Sequence, residues 1–175
     1  MNNLYIGIDP GKTGFITVLN SDTEELIFHP MPKIGEEIDS QGLDKIFKSM
    51  KGSGRIVHAC TELVHAIYGA SAKSTFEFGY VNGLIEMVLV SNDIPFTKIQ
   101  PKKWQAQMWV GVPLQRKLVS TEKTMVNDTK SMSEMAAKRL LPNVDFRRTE
   151  RSRKCDDNKV DATLICLFCY KNFKL

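Results

Sequence analysis

No apolar stretch in this 175-residue chain is long enough to cross a bilayer. The opening MNNLYIGIDPG enters a strand-like run directly, without a basic n-region or a small-residue cleavage site, so a cytoplasmic protein with no membrane partner is expected. Cysteine is sparse. Cys60, Cys155, Cys166 and Cys169 lie in or beside apolar runs without the dense spacing of a secreted disulfide scaffold, which makes reduced thiols the default. Cys166 and Cys169 form a CxxC, but no second Cys or His pair stands at zinc-finger spacing, and buried helical thiols are expected there. Repeats at solenoid spacing and low-complexity tracts are missing as well. What is present, 42% hydrophobic and 25% charged residues, is the composition of an ordinary globular protein, and the length suits a single domain over 1–175.

Charge is unevenly distributed. Residues 1–97 carry 7 Lys and Arg against 12 Asp and Glu (net −5), whereas 98–175 carry 17 against 8 (net +9). The basic half includes Lys102, Lys103, Arg116, Lys117, Lys123, Lys130, Lys138, Arg139, Arg147, Arg148, Arg151, Arg153 and Lys154. Any one of these is an ordinary solvated side chain, but the cluster suits a polyanionic partner.

Hydrophobic periodicity predicts a meander of three strands at 4–8, 14–20 and 25–31, then a helix over 39–51 with Gly52 and Gly54 as stop signals. A strand over 55–63, a helix over 72–91 and a short strand over 95–100 follow. Phe76, Val81, Leu84, Ile85 and Val88 are read together on the 72–91 helix. Pro101 suits the first turn of a helix that includes Trp104, and two more helices are expected at 131–141 and 157–170. Between Trp109 and Lys130 the chain is polar, basic and weakly periodic, which reads as a mobile surface segment. The stretch 143–157 is similarly weak in pattern and rich in arginine, suited to ordering on a phosphate backbone. The fold class is α/β, a central mixed five-stranded sheet flanked by helices.

Four acidic residues carry the chemistry. Asp9 ends an apolar strand before Pro10, Gly11 and Gly14, where a tight turn lets a phosphate approach; a turn-capping role is the plain alternative. Glu62 follows Ile56, Val57 and Ala59 inside a strand, where an unpaired carboxylate costs roughly several kcal/mol unless a cation offsets it; a strand-end residue facing water is the plain alternative. Asp157 and Asp161, four residues apart, lie about 40° apart on a helix and share a face. Asp156 and Asp157 also suit a helix N-terminus through the macrodipole, whereas Asp161 lies a turn further in. Hard oxygen donors without nearby Cys or His point to Mg²⁺, with Mn²⁺ as substitute. A two-ion site of this kind activates water and stabilises a leaving oxygen.

IGIDPGKTG, TELVHA with the following TFEFGYVNGLIE, IQPKKWQ and DDNKVDA, taken in this order, resemble the RuvC-type Holliday-junction resolvases, most closely the bacteriophage branch. The resemblance spans nearly the whole chain. It implies an RNase H-like fold, a homodimer, and paired nicks in four-way DNA junctions and other branched DNA, with no small-molecule substrate. By motif match it assigns two metal ions to Asp9, Glu62, Asp157 and Asp161, with Asp156 in reserve because Asn158 stands where cellular members tend to carry the third ligand. It also implies a catalytic lysine, Lys130 with Lys123 in reserve, and a dimer helix around 76–89. Phe76 is a candidate for insertion at the junction centre, against a core-packing alternative. Lys102, Lys103, Arg116, Lys117 and Lys123 are the DNA-binding candidates. Rival readings are another RNase H-like nuclease acting on an RNA precursor or RNA–DNA hybrid, an ATP-using domain of the actin and sugar-kinase kind, and a junction-binding protein that does not cut.

Overall fold

The computed structural model describes residues 2–63, 71–119 and 124–174. The predicted meander is formed by β1 (Asn3–Asp9), β2 (Phe15–Asn20) and β3 (Leu26–Pro30), followed by a small hairpin, β4 (Lys33–Ile34) and β5 (Glu37–Ile38), too short to leave a periodic signal. Helix α1 (Ser40–Ser53) starts where the Asp39 carboxylate accepts the Gly42 amide at 2.9 Å. It runs through Gly52 and caps on Gly54, so only the second predicted stop signal acts as one. Then come β6 (Arg55–Glu62), α2 (Ala72–Ser91), β7 (Phe96–Ile99) and α3 (Pro101–Met108) with Pro101 in its first turn.

Within the segment expected to be a mobile surface stretch, the described residues include two paired strands. β8 (Arg116–Val119) pairs antiparallel with β9 (Thr124–Asn127), closed by the Asp128 amide donating to the Gln115 carbonyl at 2.8 Å. Both strands are almost wholly exposed, so neither has a buried face to impose the period-2 alternation by which strands are recognised. Helices α4 (Thr129–Leu140) and α5 (Asp157–Phe173) complete the chain.

The main sheet has the order β3-β2-β1-β6-β7, with the meander antiparallel and β1, β6 and β7 parallel. Helices cover both faces, which is why β2 is buried at every residue rather than alternating. On one face Leu4, Ile6, Ile8, Ile16 and Val18 pack against Leu43 and Phe47 of α1 and Val81 and Ile85 of α2. On the other, Tyr5, Leu19 and Cys60 meet α5, with Trp104, Met108 and Phe146 in the same cluster. Among the described residues, no helix is long and apolar enough to cross a membrane.

Two contacts seat α5. A Cβ added at Gly7 would overlap the Ala162 carbonyl and the Cys166 amide, so only glycine lets the helix backbone lie this close to β1. In the facing position of β2, Thr17, which pairs with Gly7, lies with its hydroxyl 3.3 Å from that of Thr163. All four cysteines are free thiols, and the Cys166 and Cys169 sulfurs donate to the Tyr5 and His58 carbonyls at 3.2 and 3.4 Å. The CxxC is thus part of helix–sheet packing, as expected.

Candidate active site

Asp9 and Glu62 are the last residues of β1 and β6. These strands are parallel neighbours with Ile8 opposite Thr61, so both carboxylates emerge at one edge of the sheet, at the carboxyl ends of the strands. Alternation along each strand turns Asp9, with Tyr5 and Gly7, and Glu62, with Cys60, toward α5. Glu62 is at the end of its strand rather than inside it. Helix α5, seated on Gly7, brings Asp161 into the same space.

The electrostatics record this crowding. Burial pushes the Asp9 carboxyl well above its usual range, and the nearby charges of Asp161, Glu62 and Asp156 push it further in the same direction. Asp161 is pushed up to about 7, first by burial and then by Glu62 and Asp157, against the lowering effects of the Ser133 hydroxyl and Lys130. Burial raises Glu62 too, opposed by the Trp104 indole N–H, which donates to Glu62 Oε1 at 3.0 Å. Asp161 Oδ1 is buried without a hydrogen-bond partner. A desolvated carboxylate oxygen left unpaired among other carboxylates is the arrangement a cation relieves.

The two acids at the start of α5 are held differently. Asp156 caps the helix, accepting the Asn158 and Lys159 amides at 3.0 and 3.1 Å, and pairs with Arg148. Arg148 also donates to the Thr13 carbonyl at 2.6 Å and lies over the Phe15 ring, so it ties the Asp9 turn to the helix start. Asn158 donates to the same carbonyl at 2.9 Å. Asp157 instead meets Lys130 Nζ at 2.6 Å. Lys130 stands in the first turn of α4, and its ammonium is stabilised, with its pKa raised, chiefly by the Asp157 bond. In these side-chain positions no three His, Cys, Asp or Glu groups among the described residues converge tightly enough to enclose an ion. Asp9, Glu62 and Asp161 nevertheless fit a divalent metal by donor type, by mutual repulsion and by the orphaned Asp161 oxygen.

Asp9, Glu62, Asp157, Asp161 and Lys130 are therefore brought into one neighbourhood. Phe76 is not in the core: it is 75% exposed, on the face of α2 opposite buried Val81, Ile85 and Val88, so grouping it with them is corrected. Lys102 and Lys103 are exposed in the first turn of α3, and Arg116 and Lys117 on β8, with Lys117 3.2 Å from Asp128. Lys123 lies outside the described residues. Sequence reading missed the Trp104–Glu62 and Arg148–Asp156 contacts. The tryptophan is visible as an apolar residue one turn after Pro101, but nothing local indicates an acceptor 42 residues away.

The sequence matches no family model and no curated protein sequence. The backbone is similar to that of Thermus thermophilus RuvC in complex with a Holliday junction substrate, with a TM-score of 0.58 at 13% identity over 98% of this chain and 96% of that one. A second structure of Thermus thermophilus RuvC gives 0.57 at 13% identity, over 96% and 95% of the two chains. The mixed five-stranded sheet with its flanking helices is the RNase H-like fold, in the arrangement seen in RuvC.

Proposed function

We propose that this protein is a divalent-metal-dependent endonuclease that resolves four-way DNA junctions and related branched DNA by paired nicks in opposite strands. The observation that carries this reading is the convergence of Asp9, Glu62 and Asp161, two strand ends and one helix, into a partly desolvated and mutually repelling group. The bacteriophage branch fits best, by the motifs quoted above, as does action in a bacterial cytoplasm.

When bound, two ions of the Mg²⁺ or Mn²⁺ type supply water activation and neutralise charge on the leaving oxygen. Asp9, Glu62 and Asp161 would hold them, and Asp157 would join them if its bond to Lys130 opened. Lys130, exposed beside that group, then turns to the scissile phosphate and offsets the charge that develops there. Hydrolysis leaves 5′-phosphate and 3′-hydroxyl ends.

Paired cutting needs two sites. The outer face of α2 exposes Tyr80, Met87 and Val90 at helical spacing, an unpartnered apolar stripe that supports a homodimer through this helix. Phe76, toward the start of the same helix, is free to insert at the junction centre. Exposed Lys102, Lys103, Arg116 and Lys117 supply phosphate contacts.

The deciding experiment is Mg²⁺-dependent cleavage of a synthetic four-way junction beside a linear duplex, a fork and an RNA–DNA hybrid, with Asp161→Asn as control. Paired junction nicks that disappear in the variant, with DNA binding retained, are expected. Cleavage of the hybrid alone would keep the carboxylate site and replace the substrate.

A further inference from the structure

Trp104, in the first turn of α3, and Trp109, its C-cap, face each other with ring centroids 6.2 Å apart at 80°. Their indole N–H groups fare differently. That of Trp109 is buried with no partner, so packing in this cluster does not by itself satisfy a donor. That of Trp104, whose side chain is fully buried, is directed at a carboxylate oxygen of the candidate site.

The path of the chain explains how. Glu62 pairs with Ile99 across the β6–β7 ladder, and the Leu63 amide donates to the Ile99 carbonyl at 2.7 Å. Two residues after Ile99, Pro101 starts α3, and Trp104 in its first turn reaches back over the end of β6. The indole is wedged against Met108 and the α4–α5 cluster, so its N–H has little freedom to move. An indole offers one donor and no acceptor. It therefore engages one Glu62 oxygen and leaves the other without this donor.

We propose that Trp104 is a positioning residue for Glu62: its N–H holds Oε1 so that Oε2 is presented as a one-oxygen ligand to a divalent cation shared with Asp9 and Asp161. The inference rests on the metal-dependent reading above. Partners that orient ligating carboxylates in this way typically change metal affinity by about 10–100-fold when removed. A tryptophan that only filled space would leave cation affinity unchanged once its volume was restored.

The test is calorimetric titration of the metal-free, DNA-free protein with Mn²⁺, alongside Trp104→Phe and a variant carrying β-(3-benzothienyl)alanine at position 104. The latter keeps the bicyclic shape and replaces the N–H by sulfur, so it guards against a Phe variant that fails to fold. About a tenfold or greater weakening of Mn²⁺ binding is expected in the benzothienyl variant, with a melting temperature near that of the wild type. In a Glu62→Gln background, which already weakens binding, the same replacement should cost little more. Wild-type Mn²⁺ affinity in the benzothienyl variant would overturn the proposal. A wild-type protein that binds no Mn²⁺ would instead overturn the metal reading, and the role of Trp104 with it.

Discussion

Gly7 lies directly beneath the backbone of Cys166, with no room between them for a methyl group. This one approach lowers α5 onto β1 far enough for Asp161 to feel the charge of Asp9. Gly7→Ala should therefore force the helix away, costing about 1–3 kcal/mol or more of stability, as overpacking does. Urea unfolding measures that loss, and Mn²⁺ binding measured below the unfolding transition should weaken in step. An alanine variant of wild-type stability would mean that α5 can shift without penalty.

Asp161, raised to about 7, gives a pH signature with a definite sign. A group whose folded pKa is raised contributes stability that is complete below its unfolded value near 3.8 and disappears as pH rises through about 7. The difference in unfolding free energy between Asp161→Asn and the metal-free wild type should accordingly grow in favour of the variant between pH 4 and pH 7, then level off. Saturating Mg²⁺ at pH 8 should stabilise the wild type and leave the variant nearly unaffected. A difference that stays flat across this range would remove the burial argument for Asp161.

His58 acts in the opposite sense. Its ring stacks on Phe173 at 3.8 Å and bonds Thr97 at 2.9 Å, and burial lowers its pKa from 6.5. The stability it contributes is complete above 6.5 and is lost as pH falls below it. Melting temperatures of wild type and His58→Gln should thus converge as the pH is lowered from 7.5 to 5.5.

Lys130→Met removes the partner of Asp157 and, in the mechanism proposed above, the cation offered to the phosphate. Single-turnover junction cleavage should slow by about 10²-fold or more, on the scale of losing one preorganised charge donor. Because the side chain is exposed, stability should change by less than about 0.5 kcal/mol. Equal slowing on removal of Lys138, at the far end of α4, would argue for a general charge effect instead.

The exposed Phe76 ring separates insertion from folding. Phe76→Ala should keep the melting temperature yet weaken four-way-junction binding by roughly 10-fold, the lower end of what one base stack contributes. Linear-duplex affinity should not move. If the junction affinity is also unchanged, the ring does not touch DNA.

The elements that bury a continuous stripe were legible from periodicity alone. β1, β2 and β6, the interior of α1 and most of α5 have apolar residues at the spacing their geometry demands, so the α/β class and the candidate carboxylates at their ends followed. The β8–β9 hairpin was illegible because exposed strands need no alternation, and the outward face of Phe76 was misread because α2 is apolar on both sides. Which atoms meet was a tertiary matter. Strand register and the close seat at Gly7 brought Asp9, Glu62 and Asp161 together; Arg148 took Asp156, Lys130 took Asp157, and the Trp104 indole reached Glu62. A sequence pattern records which side of an element is apolar, whereas these pairings depend on the distances between elements, which packing of the whole core decides.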